Sequence, residues 1–141
     1  MKNASLLRRL GAILYDSLLI FALLMLVTTI FLIPRGGEAV EPYTVTHQIT
    51  SFAAIFGFFV GFWSRSGSTL GMQSWGLRVE TPAGEIPTFT VASMRFFAAM
   101  LSWLPAGLGF IWQLWDKDQL TWHDRLSGTR LRYYPKPIKN K

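Results

Sequence analysis

Three long apolar stretches dominate the pattern of the chain, each separated from the next by short polar or Gly/Pro-containing segments. From Ser17 to Ile33 runs SLLIFALLMLVTTIFLI, uncharged and polar only at Ser17, Thr28 and Thr29. Extension back to Leu10 is interrupted only by Asp16. A hydrocarbon core about 30 Å thick needs about 20 residues at helical rise, so residues 10–33 are expected to form a first transmembrane helix. A cleaved signal core is only about 7–15 residues long and ends at a small-x-small site. This run is longer and ends in Ile33-Pro34-Arg35, so it reads as an anchor.

The second stretch, Ile49 to Trp63, reaches spanning length if it begins near Tyr43, giving a second transmembrane helix over 43–63. Within it Ala53, Gly57 and Gly61 recur every fourth position and share one face. Small residues so placed let helix backbones approach closely in lipid. Packing against the first helix of the same subunit is the favoured use of this face, and a homodimer contact is the other. The third stretch, 91–115, carries Arg95 and is broken by Pro105-Ala106-Gly107-Leu108-Gly109. Proline removes a helical hydrogen bond and clashes with the preceding turn, so the segment is a re-entrant hairpin or a kinked third span. Its two pieces would be about 21 Å and 12 Å long, too short to cross singly.

Between these stretches the period changes. Residues 76–81 alternate in strand fashion, Pro82-Ala83-Gly84 supplies a turn, and 85–89 is placed to return as a second strand. Residues 129–134 alternate as well, and a third strand would stabilise an otherwise marginal hairpin. Ahead of them 68–75 reads as a short interfacial helix, capped by Ser68 or Thr69 and stopped by Gly76. The expected fold is therefore a single all-α membrane domain over 1–141. It has two transmembrane helices, a third Pro/Gly-broken hydrophobic segment, a loop over 68–90 holding the interfacial helix and hairpin, and a tail over 116–141. The hairpin and tail make a small cytoplasmic β-hairpin/strand module.

Charge supplies the orientation. Of fourteen Lys and Arg residues, three precede the first helix and seven follow Asp116. Lys and Arg concentrate on the cytoplasmic side, so both termini are expected inside, as in a bacterial inner-membrane protein, which two spans plus a re-entrant segment satisfy. Composition agrees: 50% of residues are hydrophobic, 15% aromatic and only 16% charged, against about 25% charged in soluble domains. Disorder is thereby excluded, and an ordinary soluble enzyme is disfavoured. The net charge of +6 admits nucleic acid or an anionic membrane as partner. The basic strip Lys136–Lys141 has no interleaved stacking aromatics, so anionic lipid headgroups are the expected partner and nucleic acid is not. Trp63, Trp75, Trp115 and Trp122 fall near segment boundaries, as interfacial Trp residues do.

Candidate chemistry is sparse. Asp16 lies within the first helix, where a carboxylate needs a partner or water. Arg9, seven residues earlier, is about 10 Å away along the axis and is expected to snorkel toward the headgroups. Arg95 is the expected partner of Asp16 across helices. The pair would be structural, or Asp16 a proton or cation site. In the tail, His123 and Asp124 are placed to pass a proton, with Arg125 beside them. A single histidine there, with His47 in the opposite loop, does not make a metal set. With no G-x-S-x-G elbow, and no Lys in the Gly67–Gly71 loop to hold phosphate, neither enzyme activity nor a cofactor is expected.

The residues nevertheless form a pattern. Arg9-Leu10-Gly11-Ala12 with Asp16, Thr69-Leu70-Gly71-Met72, Gly76-Leu77-Arg78-Val79, Gly84, Pro87-Thr88, Arg95 and His123-Asp124-Arg125-Leu126-Ser127-Gly128-Thr129 occur in the order found in the RDD family. The sequence thus resembles that family of small bacterial membrane proteins over nearly its whole length. The resemblance implies that Arg9, Asp16 and Asp124 are the name-giving Arg and two Asp. It also implies an integral membrane protein for which ligand transport, and in some members cation–proton antiport, has been suggested. With so few helices, transport would require a homo-oligomer. A non-catalytic adaptor binding another membrane protein is the alternative.

Overall fold

A computed structural model describes residues 3–39, 41 and 44–135. Lys2, Tyr43 and the basic strip 136–141 lie outside the described residues. Helix α1 (Leu6–Leu32) begins after extended Ser5, four residues earlier than the apolar pattern alone implies, and ends in a 3-10 turn over Ile33–Arg35. Helix α2 (Val45–Ser66) ends where Gly67 adopts a left-handed φ of 72° and donates its N–H to the Trp63 carbonyl. Both are long and apolar enough to cross a membrane, and only 6% of each most apolar window is buried within the chain. Side chains such as Leu14, Leu18, Phe21 and Ile49 therefore point outward, which suits hydrocarbon and not water.

After α2 the chain forms α3 (Leu70–Ser74), capped by Thr69, whose hydroxyl accepts from the Met72 N–H at 3.2 Å. Gly76, at φ 68°, then turns the backbone into β1 (Leu77–Glu80). The third hydrophobic segment is two helices, α4 (Phe89–Trp103) and α5 (Leu108–Ile111), the latter continued by a 3-10 turn at Trp112–Leu114. The two arms bend by 106° across the Pro105–Gly107 break, where Ala106 and Gly107 both have positive φ. At about 22 Å, α4 alone falls short of a bilayer core. The arms meet closely at Gly109, where a Cβ would lie 2.5 Å from the Ser102 Cβ. Helix α6 (Trp122–Ser127) and β2 (Arg130–Tyr133) complete the chain.

Strands β1 and β2 pair antiparallel, from Leu77 opposite Tyr133 to Glu80 opposite Arg130. The tail strand is where alternation puts it, but the expected return strand 85–89 does not form. Glu85 instead accepts the Thr81 N–H at 2.9 Å, closing a turn, and Pro87 has no N–H to give a ladder. The third partner is the amino-terminal segment: Asn3 bridges to Arg132, and the Ala4 N–H donates to the Leu131 carbonyl at 2.9 Å. The start of α1, the segment after α2 and the tail are thus tied together at one end of the helices.

The core lies under this sheet, joining Ala12, Val60, Trp63, Leu77, Val79 and Phe96. Trp63, near the end of α2, is buried in this core. Phe56 and Phe96 pack edge to face at 5.2 Å. These contacts overturn the expectation that the small-residue face of α2 packs on α1. Ala53 and Gly57 are exposed, and a Cβ built on Gly57 or Gly61 meets nothing within 4 Å. Helix α2 presents Phe56, Phe59, Val60 and Trp63 inward instead, because large rings bury far more apolar area than Gly or Ala.

Candidate functional site

Three helices each deliver one charged side chain to a common point. Arg9 sits in the first turns of α1, Arg95 in the middle of α4, and Asp124 at the third position of α6. Asp124 Oδ2 accepts from Arg9 Nη2 at 2.8 Å, and Oδ1 from Arg95 Nη1 at 2.6 Å. The carboxylate is aimed by a capping box: Oδ2 also accepts the Thr121 N–H, while the Thr121 hydroxyl accepts the Asp124 N–H. That arrangement satisfies helix-end donors reciprocally. Arg95 Nη1 further donates to Thr129 Oγ1 at 2.9 Å. All three charged residues are buried. Burial alone would raise the Asp124 pKa, but the fields of Arg9 and Arg95 hold it well below the usual carboxylate range. The cluster is therefore two guanidiniums around one carboxylate, and Arg9 is locked inward where snorkelling was expected.

Asp16 is held separately. Its Oδ2 accepts from the Thr69 hydroxyl and its Oδ1 from the Gly71 N–H at 2.9 Å. A Cβ at Gly71 would lie 2.5 Å from the Ala12 carbonyl oxygen and 2.7 Å from Asp16 Oδ1, so only glycine lets α3 approach α1 this closely. The expected Asp16–Arg95 pair is not formed, because Arg95 is committed to Asp124 and Thr129. Among the described residues Asp16 has no ion-pair partner.

His123 is not linked to Asp124 either. Its Nδ1 lies 3.3 Å from Ser102 Oγ, its Nε2 lies 3.1 Å from Thr121 Oγ1, and its ring packs on Phe110. Burial and then the charge of Arg95 push its pKa well below that of a free imidazole, so it is a neutral polar strut and the expected proton-passing pair is not assembled. Arg125 points away, clamping Asp116 and Asp118 at the surface. His47 stands toward the other end of α1, with Nε2 3.0 Å from Thr28 Oγ1.

Between α1, α2 and α4 lies a cavity of about 480 Å³. Arg9, Asp16, Arg95 and His123 give it a polar end, and Phe52, Phe59, Phe96 and Phe110 are among its apolar walls. Thr69, Gly71 and Thr129, which sequence marks only as a helix cap or as parts of the family pattern, complete the polar arrangement with Ser102 and Thr121. One signal was available: Thr121-x-x-Asp124 has the spacing of a capping box, which marks both residues as an ordered helix start.

These features define a mostly helical membrane protein with two helices able to cross a bilayer, a bent third apolar pair, and an Arg–Asp–Arg lock under a two-stranded sheet. The RDD family model matches residues 3–128, and the chain belongs to that family. No curated protein and no solved structure matches it.

Proposed function

We propose that the chain is a non-enzymatic, multi-pass protein of the bacterial inner membrane that couples passage of an ion to a proton carried by Asp16. The observation that carries this reading is the environment of Asp16: a buried carboxylate lining a cavity, held by a hydroxyl and a backbone N–H and, among the described residues, by no cation. Such a group gains or loses a proton without breaking an ion pair, and ionisable residues within membrane segments are characteristic of proton relays. The bent α4–α5 pair supports the same reading, since broken helices recur at transporter binding sites. Both termini are assigned to the cytoplasm by the excess of Lys and Arg flanking the helices, with the basic tail against anionic headgroups.

So few helices enclose no complete pathway, so the reading includes a homo-oligomer, for which the open Ala53–Gly57–Gly61 face of α2 is the natural contact. That open face also suits a helix of another membrane protein, the adaptor reading. Reconstitution in liposomes with an internal pH-sensitive dye tests transport: cation-dependent proton flux is expected and Asp16→Asn abolishes it. No flux, or flux unchanged in the variant, defeats the proposal. A stable hetero-complex recovered in mild detergent in place of a homo-oligomer selects the adaptor.

A further inference from the structure

We infer that the cavity between α1, α2 and α4 binds an acidic amphiphile, a hydrocarbon chain carrying one oxyanion head, admitted sideways from the lipid. Among the described residues, three buried donors on side chains lining this one cavity have no hydrogen-bond partner: Arg9 Nη1, Arg95 Nε and Trp63 Nε1. These residues are 2%, 1% and 4% exposed. Buried donors are ordinarily paired, and three on residues that line one chamber suit a ligand head that only accepts. Arg and Trp side chains offer no acceptor. The two guanidiniums share a single counter-ion in Asp124, which leaves positive charge in surplus at the cluster. Among the described residues Asp16 forms no ion pair with either guanidinium, being held instead by Thr69 and Gly71. Guanidinium matches a carboxylate or phosphate head in geometry and charge.

The rest of the chamber fits a chain. Its walls are aliphatic and aromatic, and its volume lies within the range of about 300–1,000 Å³ usual for ligand sites. Ser17, Phe52, Met100 and Trp103 line it and are also exposed on the apolar helices, so its rim faces hydrocarbon, the phase from which a lipid enters. This inference goes beyond ion transport and is measured without it.

The test is equilibrium binding to the full chain purified in a neutral maltoside detergent, followed by native mass spectrometry. The probes are oleate, oleoyl-lysophosphatidate, oleyl alcohol and inorganic phosphate. Saturable binding of both acidic lipids is expected, with the alcohol and free phosphate weaker by about tenfold or more, as charge-assisted pairing predicts. Ala99→Phe, in the wall one turn beyond Arg95 and itself uncharged, fills the chamber and removes binding. Trp63→Phe keeps an aromatic ring, though a smaller one, deletes one donor, and lowers the preference for oleate over the alcohol. Equal retention of oleate and alcohol means a gap filled by any lipid and overturns the inference. So does phosphate binding as tightly as the lipids, or an oleate preference unchanged in Trp63→Phe. Absent proton flux with acidic-lipid binding retained would defeat only the transport reading, and flux without such binding only this one.

Discussion

Arg9 and Asp124, 115 positions apart, meet in a 2.8 Å ion pair from which both side chains are almost wholly withdrawn. With Arg95 on the other carboxylate oxygen, this pair fastens the start of α1 and the middle of α4 to α6. Breaking a buried pair leaves uncompensated charge and costs about 3–5 kcal/mol. Asp124→Asn should therefore lower the unfolding midpoint sharply in detergent, because the amide leaves two guanidiniums with no counter-ion. Arg125→Gln, one position on but exposed, should leave the midpoint where it was. Equal midpoints for Asp124→Asn and the parent would show that the lock contributes nothing to stability.

The sequence reveals the helices more readily than the contacts between them. Run length locates α1 and α2, and Pro105 with Gly107 and Gly109 locates the break between α4 and α5. Alternation also finds β2. Partnership is harder, because Asp16 invites a cation by its charge yet is taken by a hydroxyl and a backbone N–H, 53 and 55 positions away. Neither donor differs by composition from any other in the chain. Spacing likewise shows that Ala53, Gly57 and Gly61 share a face but not what that face meets, which the bulk of Phe56, Phe59 and Trp63 decides. The lost return strand at 85–89 has a local cause in Pro87, while its replacement by Asn3 is a long-range pairing with no local signal.

Gly71 tests how tightly α3 must seat on α1. An added methyl would meet the Ala12 carbonyl at 2.5 Å, and a helix-backbone oxygen cannot rotate aside. Gly71→Ala should cost about 1–3 kcal/mol, the usual range for overpacking, and should loosen the hold on Asp16. The same substitution at Gly57, where nothing lies within 4 Å, should be tolerated. Paired chemical-unfolding curves in one detergent compare the two.

His123 makes stability depend on pH with a definite sign. Burial, then the charge of Arg95, lowers its pKa in the folded state, while the unfolded chain titrates near the ordinary value of about 6.5. Protons therefore bind the unfolded state preferentially. The contribution is fully present above the ordinary imidazole value and is lost progressively as pH falls below it. Thermal midpoints should drop between about pH 6.5 and pH 5, before carboxylates titrate. His123→Gln, which keeps polar atoms toward Ser102 and Thr121, should flatten that slope, and an unaltered slope would assign it to another group.

The open face of α2 separates folding from association. Since a Cβ at Gly57 or Gly61 meets nothing within 4 Å, a side chain at Gly61 starts into open space, and Gly61→Leu should leave the subunit's unfolding curve unchanged. Between subunits the same side chain would hold two backbones apart, and close approach is what small residues at four-residue spacing provide in lipid. Gly61→Leu should therefore shift the protein from oligomer to monomer in light scattering and crosslinking in mild detergent. If parent and variant instead have the same mass, this face is not where copies of the chain meet, and an oligomeric pathway would need another contact.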